Sequence, residues 1–213
     1  MHCIERAAEG NLSTLRKSKT ERKRVDTDTW KEFGVTELFD LSLPKGDIQV
    51  KGLDDGNVPL ITPSNTNNGL IQYIAEDSKS TLYAAGSLTV DMFGNAYYQD
   101  QDFFVTAHGH VNVLLPKNPI SPFAGLFVCS SIKSMFLQKY GFKDMCTQKV
   151  LKVAKISLPV TPSGKPDWEY MERYMKALEC KAKYNFASVN YSVTSCRASC
   201  FNHYRLADTL PCC

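Results

Sequence analysis

No run of about 18 apolar residues occurs in this chain, so nothing in the sequence reads as a membrane-spanning helix. The opening MHCIERAAEGNLSTLRKSKTERKR lacks the apolar core and small-residue cleavage site of a secretion signal, which points to a cytoplasmic chain. Charge of one sign is scarce. Lys and Arg number 25 against 22 Asp and Glu, a net charge of +3, so any nucleic-acid footprint must be local to one face. A glycine-rich cofactor loop is absent, and so is an Asn/Asp-Pro-Pro-aromatic motif, to which Asn118-Pro119-Ile120-Ser121 is no match. Methyl transfer by this chain alone is therefore not expected, and neither a cofactor nor a bound metal is expected.

What is present suits a folded domain. Hydrophobic residues make up 43% of 213 residues, with 11% aromatic and 22% charged, enough for one core of ordinary size with appendages at its ends. Residues 1–29 read as a basic N-terminal arm. Arg16, Lys17, Lys19, Arg22, Lys23 and Arg24 form a positive run with little apolar patterning, either a solvated arm or a phosphate contact. The eight cysteines lack the secreted context in which an even count implies disulfides, so free thiols are expected.

From Trp30 the pattern changes. Trp30, Phe33, Val35, Leu38 and Phe39 form an early apolar cluster. Short strand-like runs follow at 58–61, 69–74, 87–91, 96–98, 103–105 and 111–115, divided by turn residues such as Asp54-Asp55-Gly56-Asn57 and Phe93-Gly94-Asn95. Residues 122–140 have helical length, a proline at the start and an apolar stripe through Phe123, Leu126, Phe127, Ile132 and Phe136. A short helix at 148–154 and a last strand at 156–160 precede a turn. Asp167 is placed to cap a third helix at 168–183, where Trp168, Met171, Tyr174, Met175 and Leu178 share one face. The fold class is thus α/β of the mixed (α+β) kind: one domain with a twisted, mainly antiparallel sheet flanked by helices, ending in a spacer-type helix. Its expected divisions are a core domain at 30–166, a spacer or docking helix at 167–184 and a cysteine-rich tail at 185–213.

An ordered series of segments resembles the target-recognition domain of restriction–modification specificity subunits. The series comprises WKEFGVTELFDLSLPKG, VPLITPSNTNNGLIQYI, SLTVDMFGNAYYQDQDFFVTAHGHVNVLLPK, a YGF-containing basic stretch at 140–149, and KISLPVTPSGKPDWEYMERYMKAL. Together they cover roughly residues 30 to 180. The resemblance implies a non-catalytic unit that reads duplex DNA and directs an adenine methyltransferase subunit: a half-specificity subunit, a truncated gene product or a domain separated from a larger enzyme, with a second copy of itself as a candidate further partner. The tail beyond Lys183 has no obvious heptad and departs from that pattern.

Base reading needs side chains matched to base edges, with Asn or Gln suited to adenine and Lys or Arg to guanine. Asn65, Asn67 and Asn68 lie on one candidate loop, where Asn also suits a turn of positive φ. Tyr97, Tyr98, Gln99 and Gln101 sit around the next strand and turn, either as readers or as a half-buried strand end. Lys139, Lys143, Gln148, Lys149, Lys152 and Lys155 form the clearest positive concentration, fit for phosphates or for a solvated face. The resemblance places a DNA-facing segment there, and takes His108 and His110 as structural or DNA-facing. Trp168, Met171, Met175 and Leu178 are the candidate partner-binding face, or else pack on their own domain.

Three constellations look catalytic or metal-binding and are discounted. Asp167 and Glu179-Cys180-Lys181 mimic a nuclease motif, but on one helix the two acids stand about 18 Å apart. His108-Gly109-His110 lacks a third ligand, and Cys196, Cys200, His203, Cys212 and Cys213 match no standard zinc spacing. The rival readings are a degenerate fragment that only binds a partner subunit, and a metal-dependent nuclease.

Overall fold

The structure, a computed structural model, describes residues 27–44, 50, 52–77, 79–106, 110–136 and 138–198, with side chains as far as Tyr184. The basic run at 16–24, His108, Cys3, Cys200, His203, Cys212 and Cys213 lie outside the described residues, as does the side chain of Cys196.

Nine strands and four α-helices form among the described residues. Strand β1 (Lys31–Gly34) leads through a one-turn helix α1 (Val35–Leu38) into β2 (Phe39–Ser42). Then come β3 (Asp55–Ile61), β4 (Leu70–Ile74), β5 (Leu88–Asp91), β6 (Ala96–Tyr98), β7 (Phe104–Val105) and β8 (Val111–Pro116). Helices α2 (Pro122–Phe136) and α3 (Gln148–Val153), strand β9 (Lys155–Leu158) and helix α4 (Trp168–Ala198) complete the chain.

The strands make three sheets rather than one: β1-β9, β2-β8-β5-β6 and β4-β3-β7. All pairings are antiparallel except β3 with β7. The mixed helix-and-antiparallel-sheet class is as expected. Strands β1 and β2 are the additions. Each is four residues long, too short to show alternation, and each pairs across the chain: Lys31 with Leu158, and Phe39 with Pro116. Local periodicity carries no trace of such distant partners.

The main core lies between the four-stranded sheet and the helices. Leu88, Val90 and Leu114 from the sheet meet Val128, Ile132 and Phe136 of α2, Leu151 of α3 and Met171 of α4. Close packing requires Gly125 where α2 crosses β6. A Cβ there would lie 2.3 Å from Cδ2 of Tyr98, so only glycine lets the ring lie on the helix.

Both long helices end away from the positions their apolar stripes suggest. Helix α2 stops at Phe136; Gln138 takes a left-handed φ of 58° and the Lys139 amide donates to the Phe136 carbonyl. Helix α4 continues past 183 to Ala198. No Gly or Pro interrupts 183–198, and a helix already nucleated propagates at small cost per residue. Its stripe fades because the domain no longer covers it: every described side chain from Lys176 to Tyr184 is exposed. Asp167 caps the helix as expected, its Oδ1 accepting the Tyr170 amide at 2.9 Å, a contact worth about 1 kcal/mol. No helix among the described residues is long and apolar enough to cross a membrane.

Candidate nucleic-acid interface

The turn between β5 and β6 organises the site. Asp91 is buried, and its carboxylate accepts the amides of Phe93 at 2.9 Å and Asn95 at 2.8 Å and the Asn95 side-chain NH2 at 2.9 Å. These charge-assisted bonds close the turn tightly. Gly94, at φ +84°, completes it; a Cβ there would sit 2.6 Å from Cβ of Phe136. On one side the turn holds the chain before β8, because the Met92 amide donates to the His110 carbonyl. On another it holds the segment after α2. The Cys146 amide donates to the Met92 carbonyl, and the Phe142 ring stands edge-on to Phe93 at 5.2 Å.

The asparagine loop reaches the same hairpin through β6. Tyr97 donates its hydroxyl to the Ser64 carbonyl at 3.0 Å, and Lys133 of α2 lies 3.9 Å above its ring, a cation–π contact. Burial, and then the charge of Asp91, push the Tyr97 phenol above its ordinary pKa, so it stays a donor. Gln99 is only 7% exposed, and its amide nitrogen donates to the Asn68 carbonyl at 3.2 Å and to Thr89 Oγ1 at 3.0 Å. This glutamine therefore holds the loop from beneath. Asn67 and Asn68 take left-handed φ values of 49° and 52°, as suits asparagine in a tight turn. Asn67 also donates its side-chain NH2 to the Leu70 carbonyl at 3.3 Å. Asn65 and Asn68 are exposed, and among the described residues their side-chain amides have no partner.

The remaining expected residues divide by environment. Tyr98 is half-buried with its ring on Gly125, and burial followed by the charge of Asp100 raises its phenol pKa. Gln101 is exposed but flanked by the exposed carboxylates of Asp100 and Asp102, an unfavourable setting for phosphate. Lys139, Lys143 and Lys149 are exposed and Gln148 half-buried; Lys152 and Lys155 add further exposed charge, with Asp144 the single acid between 138 and 155. His110 is half-buried, its backbone fixed to the turn. Met171 is wholly buried in its own core, and Trp168 and Met175 are half-buried against it. Only Leu178 of that group is exposed. It borders a groove of about 660 Å³ between α2 and α4, with Trp30, Phe127, Ser131, Met135 and Tyr174.

Two features of the site carried little sequence signal. Gln99 was legible as a polar residue near a turn, not as the prop of a loop 31 residues away. Phe93 and Phe142 meet only because α2 intervenes and returns the chain. Among the described residues, no three His, Cys, Asp or Glu side chains gather as a metal site. Asp167 and Glu179 lie at the cap and in the interior of the same helix, where Glu179 pairs with Lys183 at 2.9 Å.

Residues 27–185 match the family described as the type I restriction modification DNA specificity domain. The chain belongs to that family. The resemblance drawn from residues 30 to 180 is thereby borne out. A specificity subunit of a type II restriction enzyme from Heyndrickxia coagulans, S.BcgI, is 27% identical over 157 residues, covering 72% of this chain and 45% of its own length. Among solved structures, the S subunit of a type I restriction–modification system from M. genitalium superposes with a TM-score of 0.50 at 13% identity, over 93% of this chain and 50% of its own. The HsdS subunit from Thermoanaerobacter tengcongensis gives a TM-score of 0.47 at 11% identity, over 85% of this chain and 46% of its own. This specificity domain thus spans about half the length of those relatives.

Proposed function

We propose that this chain reads a short sequence in duplex DNA as one half-specificity unit, and leaves chemistry to a partner methyltransferase in the cytoplasm. The observation that carries the reading is convergence. Within a DNA specificity domain, an asparagine loop with two available amides and a lysine-rich segment are tethered to the same β5–β6 hairpin. Asn65 and Asn68 supply the donor–acceptor pair that matches an adenine edge, and the lysines fix the register on phosphates. Gln99 and Tyr97 position the asparagine loop, and Tyr98 packs the hairpin against α2. His110 lies beside the turn, at the margin of the same surface.

Helix α4 takes the second role. Its first turns pack on the domain through Met171, so the docking surface begins at Leu178 and follows the exposed helix. At 31 residues the helix is about 46 Å long, enough to carry a partner subunit or a second copy of this chain at a fixed spacing from the reading loops.

Selection from a randomised duplex library at moderate salt, with the chain alone and with a methyltransferase subunit, tests the reading. Enrichment of a short motif is the expected result, and its symmetry gives the number of copies acting. Binding that enriches nothing and vanishes as salt rises would leave phosphate attraction alone and sink it.

A further inference from the structure

From the geometry of the segment after α2, we propose that Phe142 is a stacking wedge that enters the DNA duplex at a base step beside the recognised sequence. This rests on the DNA-reading function above and adds a deformation to it. Phe142 is 79% exposed, more than almost any other large apolar side chain described. Exposure alone would say little, because single surface apolar residues are ordinary. What sets Phe142 apart is a rigid seat in a basic surround. The Tyr140 ring packs on Phe136 at 5.1 Å before it, and after it Cys146 is buried and bonded through its amide to Met92. The Gly141 amide donates to the Asp144 carbonyl at 3.1 Å and closes the tip, and the ring rests on Phe93, whose own backbone is tied to Asp91.

Lys139 and Lys143 flank this tip, and Lys149 and Lys152 follow on α3, all exposed. Charge of that sign calls for a polyanion against the ring rather than a neutral apolar surface. In a duplex, phosphates meet the lysines while an apolar side chain at the tip meets the base stack. Apolar wedges of this kind unstack a step and kink the helix axis, and the cost falls on flexible steps. The seat on Phe93 is also continuous with the asparagine loop, through β6 and Tyr97. Deformation at the wedge therefore selects sequence next to the bases that Asn65 and Asn68 reach.

The test runs Phe142→Ala and Phe142→Trp beside the parent chain, first in the duplex selection and then on duplexes with 2-aminopurine at successive steps around the selected motif. Because the side chain is exposed, both variants should fold like the parent. The parent is expected to raise 2-aminopurine fluorescence at one step. Phe142→Ala should lose that signal and bind about five- to hundredfold more weakly, and Phe142→Trp should keep both. An unchanged motif and affinity in Phe142→Ala, with no fluorescence change in the parent, would overturn the wedge and leave base reading intact. Failure of the parent itself to enrich any motif would overturn both.

Discussion

The loop at 62–69 is held from beneath by hydrogen bonds, whereas the segment at 138–147 is held by ring contacts and backbone bonds. In the first, Gln99 and Tyr97 reach up to the carbonyls of Asn68 and Ser64, so the props use main-chain acceptors while the side-chain amides of Asn65 and Asn68 stay exposed. In the second, Phe136–Tyr140 and Phe93–Phe142 clamp the chain while its lysines stay in water. A loop that must match bases needs fixed polar geometry, which directional bonds supply. A segment that meets phosphates needs only its charge in the right place. Both are tethered to one hairpin, the first through Tyr97 and Gln99 and the second at the turn, so the comparison is open to attack at the turn and on either side of it.

The largest effect is expected at the shared anchor. Gly94→Val puts a branched side chain at φ +84° and a Cβ 2.6 Å from Phe136, costing roughly 2–5 kcal/mol in backbone strain and overpacking. Urea unfolding should show it, and both sequence-selective and salt-sensitive DNA binding should fall together. Loss of one with retention of the other would mean that the turn does not organise both loops.

Gln99→Leu should separate them. It leaves the Asn68 carbonyl and Thr89 hydroxyl without this donor, a loss of about 1–3 kcal/mol. Motif enrichment should weaken while low-salt binding to arbitrary duplex stays near that of the parent. The reciprocal change, Lys143→Ala with Lys149→Ala, should weaken binding evenly over all sequences. It should also flatten the dependence of log K on log salt by about 0.9 for each phosphate that is no longer neutralised. An altered motif in the lysine variant, or an even loss in Gln99→Leu, would reverse the roles assigned to the two loops.

Elements whose signal is local were legible before the structure. The turn at Phe93-Gly94-Asn95, strand β6 and the cap at Asp167 all appear where residue type and spacing put them. The residues that make the site work were less legible, because their partners are remote in sequence. Gln99 reads as a surface amide until Asn68 and Thr89 are brought to it. Met171 carries the same apolar stripe whether it meets a partner or its own core, and only packing of α4 on α2 decides for the core. Among the described residues Cys129, Cys146 and Cys180 are free thiols, and the first two are buried.

The smallest effect, confined to the 138–147 side of the comparison, comes from one of those buried thiols, Cys146. Cys146 lies under the basic segment. Burial, and then the charge of Asp91, push its thiol up to about 12, from an ordinary value of 9.0. Burial does the same for Cys129 in α2, also to about 12. A pKa raised in the folded state means the native chain holds a proton that the unfolded chain releases. The stabilisation is complete below about pH 9 and drains away as pH rises toward 12. The urea midpoint of the parent should therefore drift down above pH 9, and Cys146→Ala should drift less, which isolates this thiol from the Tyr and Lys groups that titrate over the same range. Amide exchange at 140–147 should quicken at alkaline pH more in the parent than in Cys146→Ala; the loop at 62–69 is no unresponsive control, because the Tyr97 hydroxyl that holds it to Ser64 also loses its proton at high pH. Equal quickening in the parent and in Cys146→Ala would show that other groups, not this thiol, carry the alkaline loss at 140–147.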